Sequence, residues 1–152
     1  MDKYMNHVGL VNRSEQWLRN TFHCRVVLTE LVAFTMSGET PDAIGWVGGR
    51  SILVECKTNM ADFYADQKKY SRLSGVGLGD WRFYLAPAGI IRPDKVPNGW
   101  GLYEVRGKRI FYVAGRKYSN AGSPPFKSHM KSEVAMLVSA LARIPNNGRK
   151  DK

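Results

Sequence analysis

Asp42, Glu55 and Lys57 are the residues whose types and spacing could do chemistry. Asp42 follows Pro41 and leads from a turn into a short apolar run. Glu55 and Lys57 close a second run, Ser51-Ile52-Leu53-Val54-Glu55-Cys56-Lys57. If that run is a strand, its side chains alternate between faces. Glu55 and Lys57 then point the same way, and Cys56 points into the opposite face with Leu53 or its neighbours. Two carboxylates that share a divalent cation, with an ammonium beside them, form a compact apparatus for hydrolysing a phosphodiester.

The elements that must position these groups alternate between helix and strand. Tyr4, Val8, Val11, Leu18 and Phe22 have the spacing of one helix face. Arg25 to Phe34 is apolar and β-branched, which predicts a strand, and Ser37 to Pro41 is a turn. Ala43 to Val47 reads as a short strand, with Gly48-Gly49 as the hairpin turn into the strand that ends at Lys57. Asn59, with Asp62 three residues on, caps a helix running to about Leu73. After the glycine-rich Gly75 to Gly79 comes a strand from Trp81 to Ala86, then a proline-containing loop from Pro87 to Gly99. Trp100 to Val105 and Arg109 to Ala114 form a hairpin about Gly107. A last helix carries Met130, Val134, Leu137, Leu141 and Ile144 on one stripe and stops at Pro145. That stripe suits either the sheet or a partner, so a homodimer is open. The order predicts one α/β domain over residues 1–145, a central mixed β-sheet flanked by helices, followed by a basic, disordered tail over residues 146–152.

With 152 residues the chain can bury a real core. No run reaches the roughly 18–20 apolar residues that span a bilayer, and the first residues lack the layout of a secretory signal. Cys24 and Cys56 sit inside apolar runs and read as reduced core thiols, which points to a cytoplasmic protein. The charge is less ordinary. Lys and Arg total 23 against 13 Asp and Glu, a net +10, which favours a polyanionic partner, nucleic acid above all. Between Glu104 and Glu133 lie Arg106, Lys108, Arg109, Arg116, Lys117, Lys127 and Lys131 with no acidic residue. This stretch is either a solvated basic surface or a phosphate-contacting face.

Two further acids interrupt apolar patterns. Glu15 falls between Val11 and Leu18 on the first helix, and Glu30 shares a strand face with Val26, Leu28 and Val32. A carboxylate facing a core is costly unless it is paired or bound to a metal. Glu15 either belongs to the site or sits at the edge of the stripe beside an arginine. Glu30 is either a further site acid or partly wet near a strand end.

A helix, a strand, Pro-Asp before a strand, Glu-x-Lys at the end of the next strand and then a helix resembles the core of the PD-(D/E)XK nuclease superfamily, with its restriction-endonuclease-like fold. The resemblance covers roughly Val8 to Ala86. It implies a phage or mobile-element type of Mg²⁺-dependent deoxyribonuclease, in which Asp42 and Glu55 hold Mg²⁺ or Mn²⁺, joined by the backbone carbonyl of Cys56. It implies that Lys57 activates the attacking water or stabilises charge on the scissile phosphate, and that Glu15 is the helix-borne acidic residue of many members. It also places Gln67 and the neighbouring Lys68, Lys69 and Arg72 beside the phosphates of the DNA, while the spacing from Gln67 to Tyr70 is one residue short of the pattern in some branches. Two alternatives go with it: a Holliday-junction or branched-DNA resolvase acting as a dimer, and a catalytically silent DNA-binding module of the same fold.

Pro93-Asp94 followed by Glu104-Val105-Arg106 mimics the motif, but with Arg for Lys and with Pro97 and Asn98-Gly99 breaking the strand between. His7, His23 and His129 lack ligand spacing, which argues against zinc.

Overall fold

Gly48 and Gly49 both have positive φ, +58° and +77°, which only glycine adopts freely. They form the two-residue turn whose twist matches that of paired strands. The hairpin they close pairs β2 (Ala43–Val47) with β3 (Arg50–Cys56), in the predicted place. The computed structural model describes residues 5–29, 40–69, 72 and 76–144. Within them, α1 (His7–Asn20) leads to β1 (Val26–Thr29), and β3 is followed by α2 (Met60–Gln67) and β4 (Trp81–Pro87). A short 3₁₀ turn at Pro93–Lys95 lies inside the predicted loop before β5 (Gly101–Arg106) and β6 (Arg109–Gly115), and α3 (Met130–Ala142) closes the order.

The six strands form one mixed sheet in sequence order, β1 to β6. β3, β4 and β5 run parallel, while β1–β2, β2–β3 and β5–β6 are antiparallel. The carboxyl ends of β3, β4 and β5 therefore share one edge of the sheet. Every residue of β4 is buried, as expected for a central strand covered on both faces.

Alternation along the strands divides the core in two. Ile52, Val54 and Cys56 join Trp81, Phe83 and Leu85 beneath Leu10, Trp17 and Leu18 of α1. Leu53, Tyr84 and Leu102 face the other way, against Phe63 of α2 and Met136 of α3. Cys56 thus keeps company with Val54, not with Leu53, which shares the face of Glu55. The other departures concern helix faces. The buried face of α1 is Leu10, Val11, Ser14, Trp17 and Leu18, and Val8 is exposed. The last helix turns Ser132, Glu133 and Met136 inward and leaves Met130, Val134, Val138, Leu141 and Ile144 exposed. The remainder of the strand expected from Arg25 to Phe34, including Glu30, lies outside the described residues, as do Tyr70, the helix end expected at Leu73 and the tail from 146.

Candidate functional site

Asp42 immediately precedes β2, and Glu55 and Cys56 end β3 with Lys57 just beyond. The hairpin brings these ends together, and the four residues line one cleft of about 260 Å³ with His7, Asp62, Asp66 and Lys69. Asp42 is tied to the strand end it faces. Its Oδ2 accepts a hydrogen bond from the Cys56 backbone N–H at 2.8 Å, and its Oδ1 lies 3.3 Å from His7 Nε2.

Pro41 has a structural reason to precede Asp42. The β2–β3 ladder ends with Ala43 opposite Val54, and the same register carried on would set Pro41 opposite Cys56. Lys57 N–H donates to Leu85 on the β4 side, so the polar backbone groups of Cys56 face the Asp42 side. Proline has no N–H to give the Cys56 carbonyl, so the ladder stops there, at a residue that lines the cleft.

Behind the cleft lies a carboxylate absent from the sequence-based set. Asp66, on α2, is completely buried. Lys57 Nζ lies 3.3 Å from its Oδ1 and Lys69 Nζ 3.1 Å, and Arg72 Nε lies 3.0 Å from its Oδ2. The Tyr84 hydroxyl donates to the same oxygen and accepts from Gln67 Nε2 at 2.8 Å. Arg72 spans two acids, with an Nη 3.2 Å from Glu55 Oε1, and its guanidinium rests 4.6 Å from the ring centre of Trp100. Burial by itself would raise the Asp66 carboxyl, but Arg72, the Tyr84 hydrogen bond and Lys57 outweigh it and hold the pKa down at about 2. Burial also opposes the Lys69 ammonium, and Glu55 and Asp66 more than offset it, so its pKa is raised. Burial and the Asp66 charge push the Tyr84 phenol up.

The other sequence-based candidates scatter. Glu15 does not line the cleft and pairs with Arg19 at 3.2 Å one turn along α1, the edge position with an arginine that its periodicity left open. The α1 residue that meets the end of β3 is Ser14, whose Oγ is 3.1 Å from Cys56 Sγ. Burial pushes the Cys56 thiol well above the ordinary range, so its side chain is a core group. Lys68 is exposed at the end of α2 and outside the cleft. Gln67 serves Tyr84 from behind, and Arg72, 4 % exposed, is an internal brace and not a surface grip. Lys69 alone of that set lines the cleft. Asp94 pairs with Arg92 on the surface, and Glu104 is held by Gly89 N–H and Arg106. Asp66 had a readable signal, since it lies three residues after Phe63 on the same buried face of α2, the kind of interruption that drew attention to Glu15.

The donors at the cleft are hard oxygens: Asp42, Glu55 and the Cys56 carbonyl. Such a set fits Mg²⁺ or Mn²⁺ better than a softer metal. Among the described residues no three His, Cys, Asp or Glu side chains are grouped to hold a metal, so a cation here would rest on two carboxylates, a carbonyl and water.

No protein-family model matches the chain, and no curated protein matches it. Among solved structures it is similar to a protein of unknown function from Silicibacter pomeroyi, with a TM-score of 0.59 and 20 % identity over 97 % of each chain. That likeness extends the α/β architecture to a second protein and carries no activity with it. No helix among the described residues is long and apolar enough to cross a membrane.

Proposed function

We propose that the chain is a metal-dependent deoxyribonuclease with a PD-(D/E)XK core of the restriction-endonuclease-like kind. The observation that carries this reading is the convergence of Asp42, Glu55 and Lys57 on one cleft at the carboxyl edge of the parallel strands. Asp42, Glu55 and the Cys56 carbonyl would hold Mg²⁺ or Mn²⁺. Bound there, the cation would polarise a phosphoryl oxygen and lower the pKa of a coordinated water.

The chain's own groups do the rest. Asp66 anchors the Lys57 side chain from behind and holds it at the cleft, where it meets the scissile phosphate and orients the attacking water. Arg72 restrains Glu55, with an Nη 3.2 Å from Oε1. Lys69, half-exposed and fully protonated at neutral pH, adds a second positive charge at the phosphate side. Removing Asp66 would loosen both ammonium groups without touching a metal ligand.

A dimeric branched-DNA resolvase is the second reading. It needs two sites on two strands, and the outward apolar stripe of α3 favours it, because Met130, Val134 and Leu141 are exposed at steps of four and seven residues, a spacing that helices which pair also show.

The test is cleavage of plasmid, single-stranded and four-way-junction DNA with Mg²⁺ or Mn²⁺, by the parent and by Asp42→Ala and Lys57→Ala. Cleavage by the parent and a loss of at least about 100-fold in each variant are expected. No cleavage of any substrate by the parent overturns the enzyme reading, and equal cleavage by the variants overturns the site. Preference for junctions by a dimer selects the resolvase.

A further inference from the structure

An open groove of about 500 Å³, larger than the cleft, lies between α1 and the β5–β6 hairpin. Arg13, Gln16, Trp17 and Asn20 line it from the helix, and Lys108 and Arg109 from the hairpin tip. None of its described lining residues is acidic. The site cleft, by contrast, mixes four acids with two lysines. The groove is also built: Arg13 Nη1 donates to the Gly107 carbonyl at 3.0 Å, which fixes its guanidinium against the tip and leaves its other N–H groups for a ligand. Gly107, with φ +61°, makes the turn that presents Lys108 and Arg109 side by side.

Its position relates it to the cleft. Cys56 pairs with Leu85, which pairs with Tyr103, and β5 runs on from there to Arg106. At about 4.8 Å between strands and 3.3 Å per residue, the hairpin tip stands on the order of 10–15 Å from the end of β3, on the same edge. The helix connects them as well. α1 begins in the cleft at His7 and delivers Arg13 to the tip about 9 Å further along its axis.

We infer that this groove is the docking site for the phosphate backbone of the nucleic-acid strand whose scissile bond lies in the cleft, three to four nucleotides away. Positive charge without acids selects a polyanion. The fork of Arg13 suits a phosphate, and the amides of Gln16 and Asn20 supply neutral donors and acceptors of the kind that contact sugars and phosphates. The spacing matches about 3.4 Å per nucleotide along one strand of a duplex. The basic stretch of the sequence is thereby divided: Lys108 and Arg109 belong to the groove, whereas Lys127 and Lys131 lie by α3 and do not line it.

The assignment rests on the nuclease reading for what lies in the cleft, but its test is binding. A labelled DNA duplex is titrated at several salt concentrations, without divalent metal, against the parent, Lys108→Ala/Arg109→Ala and Lys127→Ala/Lys131→Ala. Both double variants lose two charges, so general attraction falls equally. The first is expected to bind at least about tenfold more weakly, with a salt slope reduced by about 2, and the second to stay within about twofold of the parent. Equal losses in the two, or parent-like binding by the first, overturn the groove. Cleavage by the parent with Mg²⁺ is scored separately, so an inactive protein whose binding depends on Lys108 and Arg109 removes the nuclease reading and leaves the groove standing.

Discussion

The sheet has a buried acid at each end, and the two are satisfied in opposite ways. At the end where β3 and β4 begin, Glu133 of α3 accepts from the Ser51 hydroxyl and the Gly79 N–H, both at 2.8 Å, and from Trp46 Nε1 at 3.2 Å. Asp80 beside it takes the Ser51 and Ser128 N–H groups. Every one of these donors is neutral. At the other end, about 13 Å along β3, Asp66 and Glu55 are held by Lys57, Lys69 and Arg72. Neutral donors make a staple: they fasten α3 to the sheet and offer a ligand nothing. Charged partners make an ion-pair network, in which Lys57 and Lys69 also line the cleft. The two ends of the sheet thus differ in the charge of the donors that satisfy their acids.

The comparison breaks most readily at its two central carboxylates. Asp66→Ala leaves Arg72 and Lys57 beside an emptied anion position and is expected to cost about 3–5 kcal/mol, the usual cost of breaking a buried charged pair. Glu133→Gln keeps one acceptor for its neutral donors and should cost about 1–3 kcal/mol. Urea unfolding of both variants measures the difference, and equal costs would erase the distinction between the two ends.

Acid separates the ends next. The Asp66 pKa is depressed from 3.8 to about 2, so the stability it contributes is present above pH 4 and is lost as the pH falls from about 4 to 2. That contribution is about 2 kcal/mol. Arg72→Met removes the strongest of the groups that lower this pKa and should move the loss to higher pH. Urea midpoints followed from pH 6 to pH 2 check it, and an unchanged profile in Arg72→Met would deny Arg72 that role.

The smallest expected effect is the stabilisation by metal. Mg²⁺ or Mn²⁺ at ten times its Kd should stabilise the parent by about 1.4 kcal/mol, a rise in Tm of a few degrees. Glu133→Gln should keep that rise and Asp42→Asn should lose it. A rise that survives Asp42→Asn would place the cation elsewhere.

Much of the architecture was legible because local rules set it. Gly48-Gly49 dictated a hairpin, Asn59 caps α2 through the Asp62 N–H as its spacing suggested, and the alternation in β3 separates Glu55 from Cys56. Helix faces were harder to read. Periodicity says that a face exists, but the neighbour decides which face is buried. α1 turns in Ser14, which is small and finds partners in Leu10 and Cys56, and leaves Glu15 at the rim with Arg19. α3 buries Glu133 because three donors await it, and its most apolar stripe faces outward. The spacing of Asp66 from Phe63 signals a buried acid, but its partners come from the end of β3, from β4 and from beyond α2, and no local pattern joins them to it.

The parallel pairing of β3 with β4 bears on how the cleft comes into being. β2–β3 and β5–β6 are each joined by a two-residue turn and zip locally, whereas β4 has no hairpin neighbour, and its first partner, β3, ended at Cys56. Closing that gap means ordering the whole crossover through α2 before any β3–β4 contact rewards it, which makes it the slow kind of step in folding. Tyr84, which caps Asp66, arrives only with β4. The hairpin that carries Asp42 and Glu55, with Lys57 just beyond it, is thus local, whereas the brace on Asp66 is complete only once β4 has docked.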